Sequence, residues 1–381
     1  MSKTLTNFIL AVSTLVGTII GVGMFGLPYA AKISGFGPVI FYLVLLGILV
    51  TLLHLMYGEV VLRTSTKHRL AGYAEIYFGS KGKIVGSVIF FINLYLALLA
   101  YLVVGGEFLK NIFSGFLNFS PQTGTLLLAL IGFAVVFKGI KLAGVTDFFM
   151  TAILILMVFG IGFFGYSTID SKNLINFASK DSLFFPYGIV LFSLAGGSAI
   201  PEIRSFFKTN VKNYAKAIIL GTAIPILIYA VFTFIIFSIS GTFTSKEAIS
   251  GLANFLGNGF VRYGAIVGFL AVITSFFTIG LNLKNSFRFD FKLPVFVSFV
   301  LTVGIPLYLF FSGFADFITI ISLAGGVIGG LEALLIISLW IKSRKKSERI
   351  PEYSLKLRPV IVGLLVLVFS LAIFYELIYT L

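Results

Sequence analysis

A chain of 381 residues that is 59% hydrophobic and only 11% charged exposes too much apolar surface to stay dissolved in water. The absence of cysteine excludes disulfides, thiolate catalysis and Cys-ligated metals, and the two histidines, His54 and His68, leave little for a metal site. The net charge of +14 raises nucleic acid as a partner, but where the charges fall argues against it.

In chain order, eleven apolar runs are long enough to cross a hydrocarbon core about 30 Å thick at about 1.5 Å of rise per residue. They are spans 1 (7–32), 2 (36–62), 3 (84–109), 4 (122–138), 5 (145–166), 6 (183–207), 7 (214–240), 8 (260–283), 9 (293–312), 10 (316–341) and 11 (357–380). Continuous runs of this length fit helices, not the alternating segments of a barrel. The expectation is an all-α membrane protein with one transmembrane domain over 1–381. The first run is too long for a cleavable signal and lacks a small-residue cleavage site, so it reads as span 1. The longest links, "STKHRLAGYAEIYFGSKG", "STIDSKNLINFASKD" and "GTFTSKEAISGLANFLGNG", read as short amphipathic or irregular connections.

With the N-terminus inside, all basic residues but Lys32, Lys110, Lys172, Lys180, Lys246 and Arg262 fall on the inner side. This positive-inside bias predicts an inner-membrane protein with a cytoplasmic N-terminus and, after eleven crossings, an external C-terminus. The stretch "KSRKKSER" then reads as a topology anchor facing anionic lipid, not a nucleic-acid patch.

Span 1 carries "GTIIGVGMFGLP", in which Gly21, Gly23 and Gly26 spell a dinucleotide-binding GxGxxG. A Rossmann turn needs a preceding strand and an acid about twenty residues on; here the glycines lie inside a span and the next acid is Glu59. Gly17 and Gly21 also form a GxxxG, the mark of close helix packing. The density of breakers, with Pro28 following, goes further: each glycine weakens a helix by about 1 kcal/mol relative to alanine. Backbone freed at mid-membrane is tolerated only where it lines a cavity or holds a ligand. Span 6, "LFSLAGGSAIPEIRSFF", repeats the pattern with Gly196, Gly197 and Pro201. Two broken helices lying five spans apart, in opposite orientation, are the signature of an inverted-repeat transporter whose substrate sits between them. A channel would need a ring of like polar groups, and an intramembrane enzyme would need a motif such as HExxH or GxSxG; neither pattern occurs.

"GTIIGVGMFGLPYAAKISGF", "GEVVLRT" and "LFSLAGGSAIPEI" resemble the aromatic and hydroxy amino acid permeases and the related amino acid/auxin permeases, within the amino acid–polyamine–organocation superfamily. The resemblance runs over essentially the whole chain. It implies a leucine-transporter-like fold of five plus five helices: a first repeat at about 7–166, a second at about 183–341, and an added helix at about 357–380. It further implies alternating access and import of an amino acid on a proton or sodium gradient.

For such a zwitterion, the N–H groups of Gly21, Val22 and Gly23 suit the carboxylate. The carbonyls of Ile19, Phe192, Ser193 and Leu194, with the Ser193 hydroxyl, suit the ammonium. Met24, Ala195, Gly196 and Gly197, with Asn93, Ala97 and Tyr101 four apart on span 3, would line the side-chain pocket. For Asn93 and Tyr101 an interhelical hydrogen bond is an equal alternative. The small residues of span 6 leave room for a large neutral or aromatic side chain, and this pocket carries no charge.

Carboxylates within spans are candidates for proton coupling. Glu59 reads as a helix-surface partner of Arg63, and Glu202, two before Arg204, as a structural or gating pair ahead of a proton carrier. Glu332, inside span 10, has no basic residue near it in sequence. His54 reads as a packed polar group and "GGVIGG" in span 10 as close packing. In the fold implied by the resemblance, Thr274 and Ser275 of span 8 meet carbonyls at positions matching Gly17 and Ile20, and oxygen ligands of this kind suit sodium. Span 5 has no lysine to replace the ion, and Met24 stands where a second sodium site would need asparagine. One sodium is therefore favoured over a proton carried by Glu202 or Glu332, although these hydroxyls could also bond back to their own helix. No other cofactor is expected; the partners are the amino acid, the coupling cation and membrane lipid.

Overall fold

The computed structural model describes residues 3–117, 119–138, 145–175, 182–207 and 211–379. Parts of two links, 139–144 and 176–181, lie outside the described residues, as does the 208–210 segment ahead of span 7. Among the described residues every regular element is a helix. Among the described residues eight helices are long and apolar enough to cross a membrane, nine with one bent pair, and two more are apolar, Val145–Phe164 of 20 residues and Val295–Phe311 of 17. Together they occupy the eleven expected positions.

Span 1 is two helices. Lys3–Ile19 stops at the glycines, and Val22–Gly26 leads as a tight turn into Leu27–Ser34; the two halves are bent by 47°. Pro28 sits in the first turn of the second half, where its missing N–H costs nothing. Gly35 then turns the chain at φ +86° into span 2, Phe36–Arg63, a conformation that glycine adopts without strain. Span 3 begins earlier than expected: the helix runs Leu70–Phe113 with a kink at Gly79, φ +72°, so the first link is itself a helix leading into the span.

Span 6 breaks as span 1 does. Pro186–Ser193 ends, Leu194–Gly196 cross without helix, and Gly197–Ala199, Ile200–Ile203 and Arg204–Phe206 continue as short turns. Span 10 is not a regular helix: Phe317–Leu323 and Gly330–Lys345 flank a π-helical segment, Ala324–Gly329. Its glycines do pack closely, Gly325 against the backbone of Gly188 and Gly326 against the Glu376 side chain. Span 10 is 72% buried over its apolar window and span 11 only 22%, so span 10 runs through the centre and span 11 along the edge.

The link after span 10 folds back across the ends of spans 2, 6 and 7, on a face rich in basic residues. Glu59 is fully buried there and not a surface partner of Arg63. It accepts hydrogen bonds from Arg63 Nε (2.9 Å) and Nη2 (2.6 Å), Trp340 Nε1 (2.8 Å), Ser354 Oγ (2.8 Å) and the Leu355 N–H (2.8 Å). Tyr353 donates to the Leu55 carbonyl at 2.7 Å and fills the space beside Gly58. His54 is buried against the Thr222 hydroxyl, 3.0 Å away, the packed polar role expected of it.

Candidate substrate site at the helix breaks

The two breaks touch each other. A methyl on Gly23 would lie 2.7 Å from Ser193 Oγ, 2.8 Å from Ser193 Cα and 3.0 Å from Phe192 Cδ1; one on Gly196 would lie 2.5 Å from Ile19 Cγ1. Both glycines therefore face the other broken helix, which lets the two backbones approach. Tyr101, placed by span 3, brings its hydroxyl to 3.0 Å from where a Gly21 side chain would begin.

A residue that sequence reasoning passed over joins the breaks. Tyr229, in the middle of span 7 and fully buried, donates to the Ile19 carbonyl at 2.6 Å and to the Ser193 carbonyl at 3.0 Å. The one available signal was a tyrosine deep in an otherwise apolar span, since a buried phenol needs an acceptor. One hydroxyl has one proton, so it can serve these two carbonyls only in alternation.

The other freed groups divide. The Phe192 carbonyl accepts from the Ala195 N–H at 3.1 Å, and the Ser193 hydroxyl turns back onto the Ile189 carbonyl at 2.8 Å. The Leu194 carbonyl accepts no hydrogen bond among the described residues, and the Val22 and Gly23 amides donate none. The touching breaks thus hold one unused acceptor on span 6 and two unused donors on span 1, the kinds of group that a zwitterion pairs with. Val22 and Met24 are buried, as are Ala97 and Tyr101. Ala195, Ser198 and Glu202 are exposed along the half of span 6 that leads to the basic face.

The acids depart furthest from expectation. Glu202 is exposed, and Arg204 pairs with Glu352 of the folded-back link at 3.7 Å instead of with Glu202. Glu332 lies at the breaks: a methyl on Gly197 would lie 2.9 Å from its Oε1, and Asn93 Nδ2 donates to its Oε2 at 3.4 Å. It forms no ion pair among the described residues. A carboxyl group thus lies beside Gly197, one of the residues expected to line the side-chain pocket.

The Thr274 hydroxyl of span 8 bonds back to its own helix. Thr274 donates to the Leu270 and Ala271 carbonyls of its own helix at 3.2 and 3.1 Å, and no hydrogen bond joins Thr274 or Ser275 to span 1 among the described residues. The Gly17 and Ile20 carbonyls, freed by the break, accept none either.

Two opposed helix breaks inside an all-helical apolar bundle, holding unused backbone donors and acceptors, define a membrane transporter. The chain belongs to the tryptophan/tyrosine permease family, whose model matches residues 4–378, and is an integral membrane amino acid transporter, not an enzyme. It is 27% identical to the tyrosine-specific transport system 1 of Haemophilus influenzae, over 92% of this chain and 91% of that protein. It is 26% identical to the glutamine transporter 2 of Aliivibrio fischeri, over 89% and 90%. Among solved structures it shares the leucine-transporter-like fold of the inward-facing conformation of Mhp1, with a TM-score of 0.71, 15% identity and coverage of 98% of this chain and 89% of that one. The structure of MhsT in complex with L-phenylalanine matches with a TM-score of 0.65, 12% identity and 98% coverage of both chains.

Proposed function

We propose that the chain imports a large neutral or aromatic amino acid across the inner membrane by alternating access, driven by a cation gradient. The observation that carries this reading is the pair of facing breaks, bridged by Tyr229, with the Val22 and Gly23 amides on one and the Leu194 carbonyl on the other left without hydrogen bonds among the described residues. The α-carboxylate is held by the amides and the α-ammonium by the carbonyl side; these contacts take any amino acid, and Met24, Ala97, Ala195 and Phe192 bound the side chain. Relatives named for tyrosine and for glutamine and a neighbour holding L-phenylalanine support a neutral substrate. We read 7–166 and 183–341 as inverted repeats, with span 11 added, and the basic face as cytoplasmic, which puts the N-terminus inside and the C-terminus outside.

Sodium is the coupling ion we favour. The Gly17 and Ile20 carbonyls are free of hydrogen bonds among the described residues, and Thr274, in giving its proton away, keeps its oxygen lone pairs. With Ser275 these are oxygen donors only, the chemistry sodium takes. Bound there, the ion would supply a fixed positive charge beside the broken span 1. A proton carried by Glu332 is the second reading, favoured by that carboxylate's position at the breaks without an ion pair; Glu202, exposed on the basic face, is the weaker carrier.

The test is uptake of labelled tyrosine, phenylalanine and glutamine into proteoliposomes, in wild type and Thr274→Ala. Expected is accumulation that needs an inward sodium gradient at equal pH and is lost in Thr274→Ala. Uptake indifferent to sodium but driven by an imposed pH gradient, and abolished in Glu332→Gln, would replace sodium with the proton. No uptake of any amino acid under either gradient would overturn the whole reading.

A further inference from the structure

We infer that Glu332, held by Asn93, is a specificity-determining residue that accepts a hydrogen bond from the substrate's side chain, so that the transporter selects neutral amino acids ending in a donor. The inference rests on the proposed substrate site and names the substrate class that site prefers.

Placement comes first. The α-amino and α-carboxylate groups belong between Val22–Gly23 and Ser193–Leu194. Gly197 lies only four residues beyond Ser193, across the non-helical stretch of span 6, so what touches Gly197 is next along that backbone from the α-group site. The Glu332 carboxylate lies against Gly197, whose missing side chain leaves Oε1 reachable: any Cβ there would stand 2.9 Å from that atom. Asn93 donates to the other oxygen, Oε2, at 3.4 Å, so it orients the carboxylate and leaves Oε1 as the open acceptor. Gly197, Asn93 and Glu332 are all partly accessible, whereas Met24, Ala97 and Tyr101 of the proposed pocket are buried.

The chemistry then discriminates. A phenol O–H, an indole N–H or a carboxamide offers a donor that one carboxylate oxygen can satisfy. A side-chain carboxylate would be repelled. An apolar ring covers the carboxylate and strips its water without replacing it, a cost. A lysine ammonium brings three donors to a place with one open oxygen, between apolar walls, and would be buried with its hydrogen bonds unmade. Tyrosine and phenylalanine differ by this one donor alone, so their ratio isolates the effect from every main-chain contact.

The experiment measures equilibrium binding of tyrosine, phenylalanine, glutamine, glutamate and lysine to the purified full-length chain, by displacement of labelled tyrosine or, if that does not bind, of the best-bound amino acid. In wild type, tyrosine should bind about tenfold tighter than phenylalanine, the lower range for a hydrogen bond to a charged group that is partly accessible. Glutamate and lysine should bind weakest. In Glu332→Ala the tyrosine-to-phenylalanine ratio should fall to about one with phenylalanine binding retained; in Asn93→Ala it should shrink without vanishing. The ratio is internal to each protein, so a general loss of fold quality does not mimic the effect, and the wild-type panel decides even if Glu332→Ala does not fold. Equal wild-type affinities, lysine binding best, or an unchanged ratio in Glu332→Ala overturns the inference while amino acid binding, and the proposed function, stand. Wild type binding no amino acid at all overturns both.

Discussion

Adding one methyl at Gly23 tests whether the two breaks must touch for substrate to bind. In Gly23→Ala the new carbon would stand 2.8 Å from Ser193 Cα and 2.7 Å from Ser193 Oγ. The hydroxyl can rotate away, but the Cα is backbone, and ordinary carbon contacts need about 3.5–4.0 Å. Spans 1 and 6 must therefore separate by about 1 Å, or the strain stays. Overpacking of this kind costs about 1–3 kcal/mol; where it falls on the substrate-holding arrangement, affinity drops about five- to hundredfold. Two other glycines calibrate the result. Gly21→Ala meets only the Tyr101 hydroxyl at 3.0 Å, the far end of a side chain that can swing, and should lose less than about fivefold for that reason. Gly37→Ala has nothing within 4 Å and should bind as wild type does. Displacement of labelled amino acid from the purified proteins gives the order. Wild-type affinity in Gly23→Ala, or a larger loss in Gly21→Ala than in Gly23→Ala, would refute the packed-break geometry.

Two further outcomes are expected. Tyr229→Phe removes the donor shared by the Ile19 and Ser193 carbonyls, leaving both buried acceptors unmet at a cost of about 1–3 kcal/mol. Because a bound ammonium supplies donors at the same place, saturating substrate should stabilise Tyr229→Phe against heat more than it stabilises wild type; equal ligand shifts would disprove that shared role. Glu59→Ala strips the acceptor from five hydrogen bonds and leaves Arg63 buried without its partner, a loss of about 3–5 kcal/mol. It should lower the thermal stability of the detergent-solubilised protein and expose the 346–358 link to protease, and an uncut link with unchanged stability would show that the link is held by other contacts.

What the sequence announced clearly was whatever is local. The runs of apolar residues marked every span, and the glycine–proline clusters marked both breaks, because a helix that loses propensity over a few residues does so whatever surrounds it. The lead-in helix Leu70–Phe78 was hidden because its polar residues read as a link, and only the positive φ at Gly79 shows where helix restarts. The π segment of span 10 was hidden because "AGGVIG" favours close packing and a bulge alike; contact with Gly188 and Glu376 accompanies the bulge. Glu59 was misread since an i,i+4 pair with Arg63 looks the same on a surface as under a link that returns from residues 347–358, nearly three hundred positions away. Glu332 is legible in the sequence as an ionisable group within a span, a candidate proton carrier; its neighbours, Gly197 and Asn93, come from spans whose adjacency is a matter of tertiary packing.

Tyr229 shows why the centre of the site is the hardest part to read and how it can work. Its hydroxyl ties together two carbonyls that belong to different broken helices, yet it owns one proton, so at any instant one of the two is held and the other is not. A pair of lysines or a second tyrosine would have satisfied both and locked span 1 to span 6. A single hydroxyl leaves the junction one donor short, and under the proposed function the missing donor is what an amino acid's ammonium would bring. On that proposal the junction is complete only with substrate present, since a ligand shifts a conformational equilibrium by its differential interaction with the two states and by nothing else. The same hydroxyl helps the break persist in the membrane: it lies within hydrogen-bond reach of both the Ile19 and Ser193 carbonyls, so neither is far from a donor.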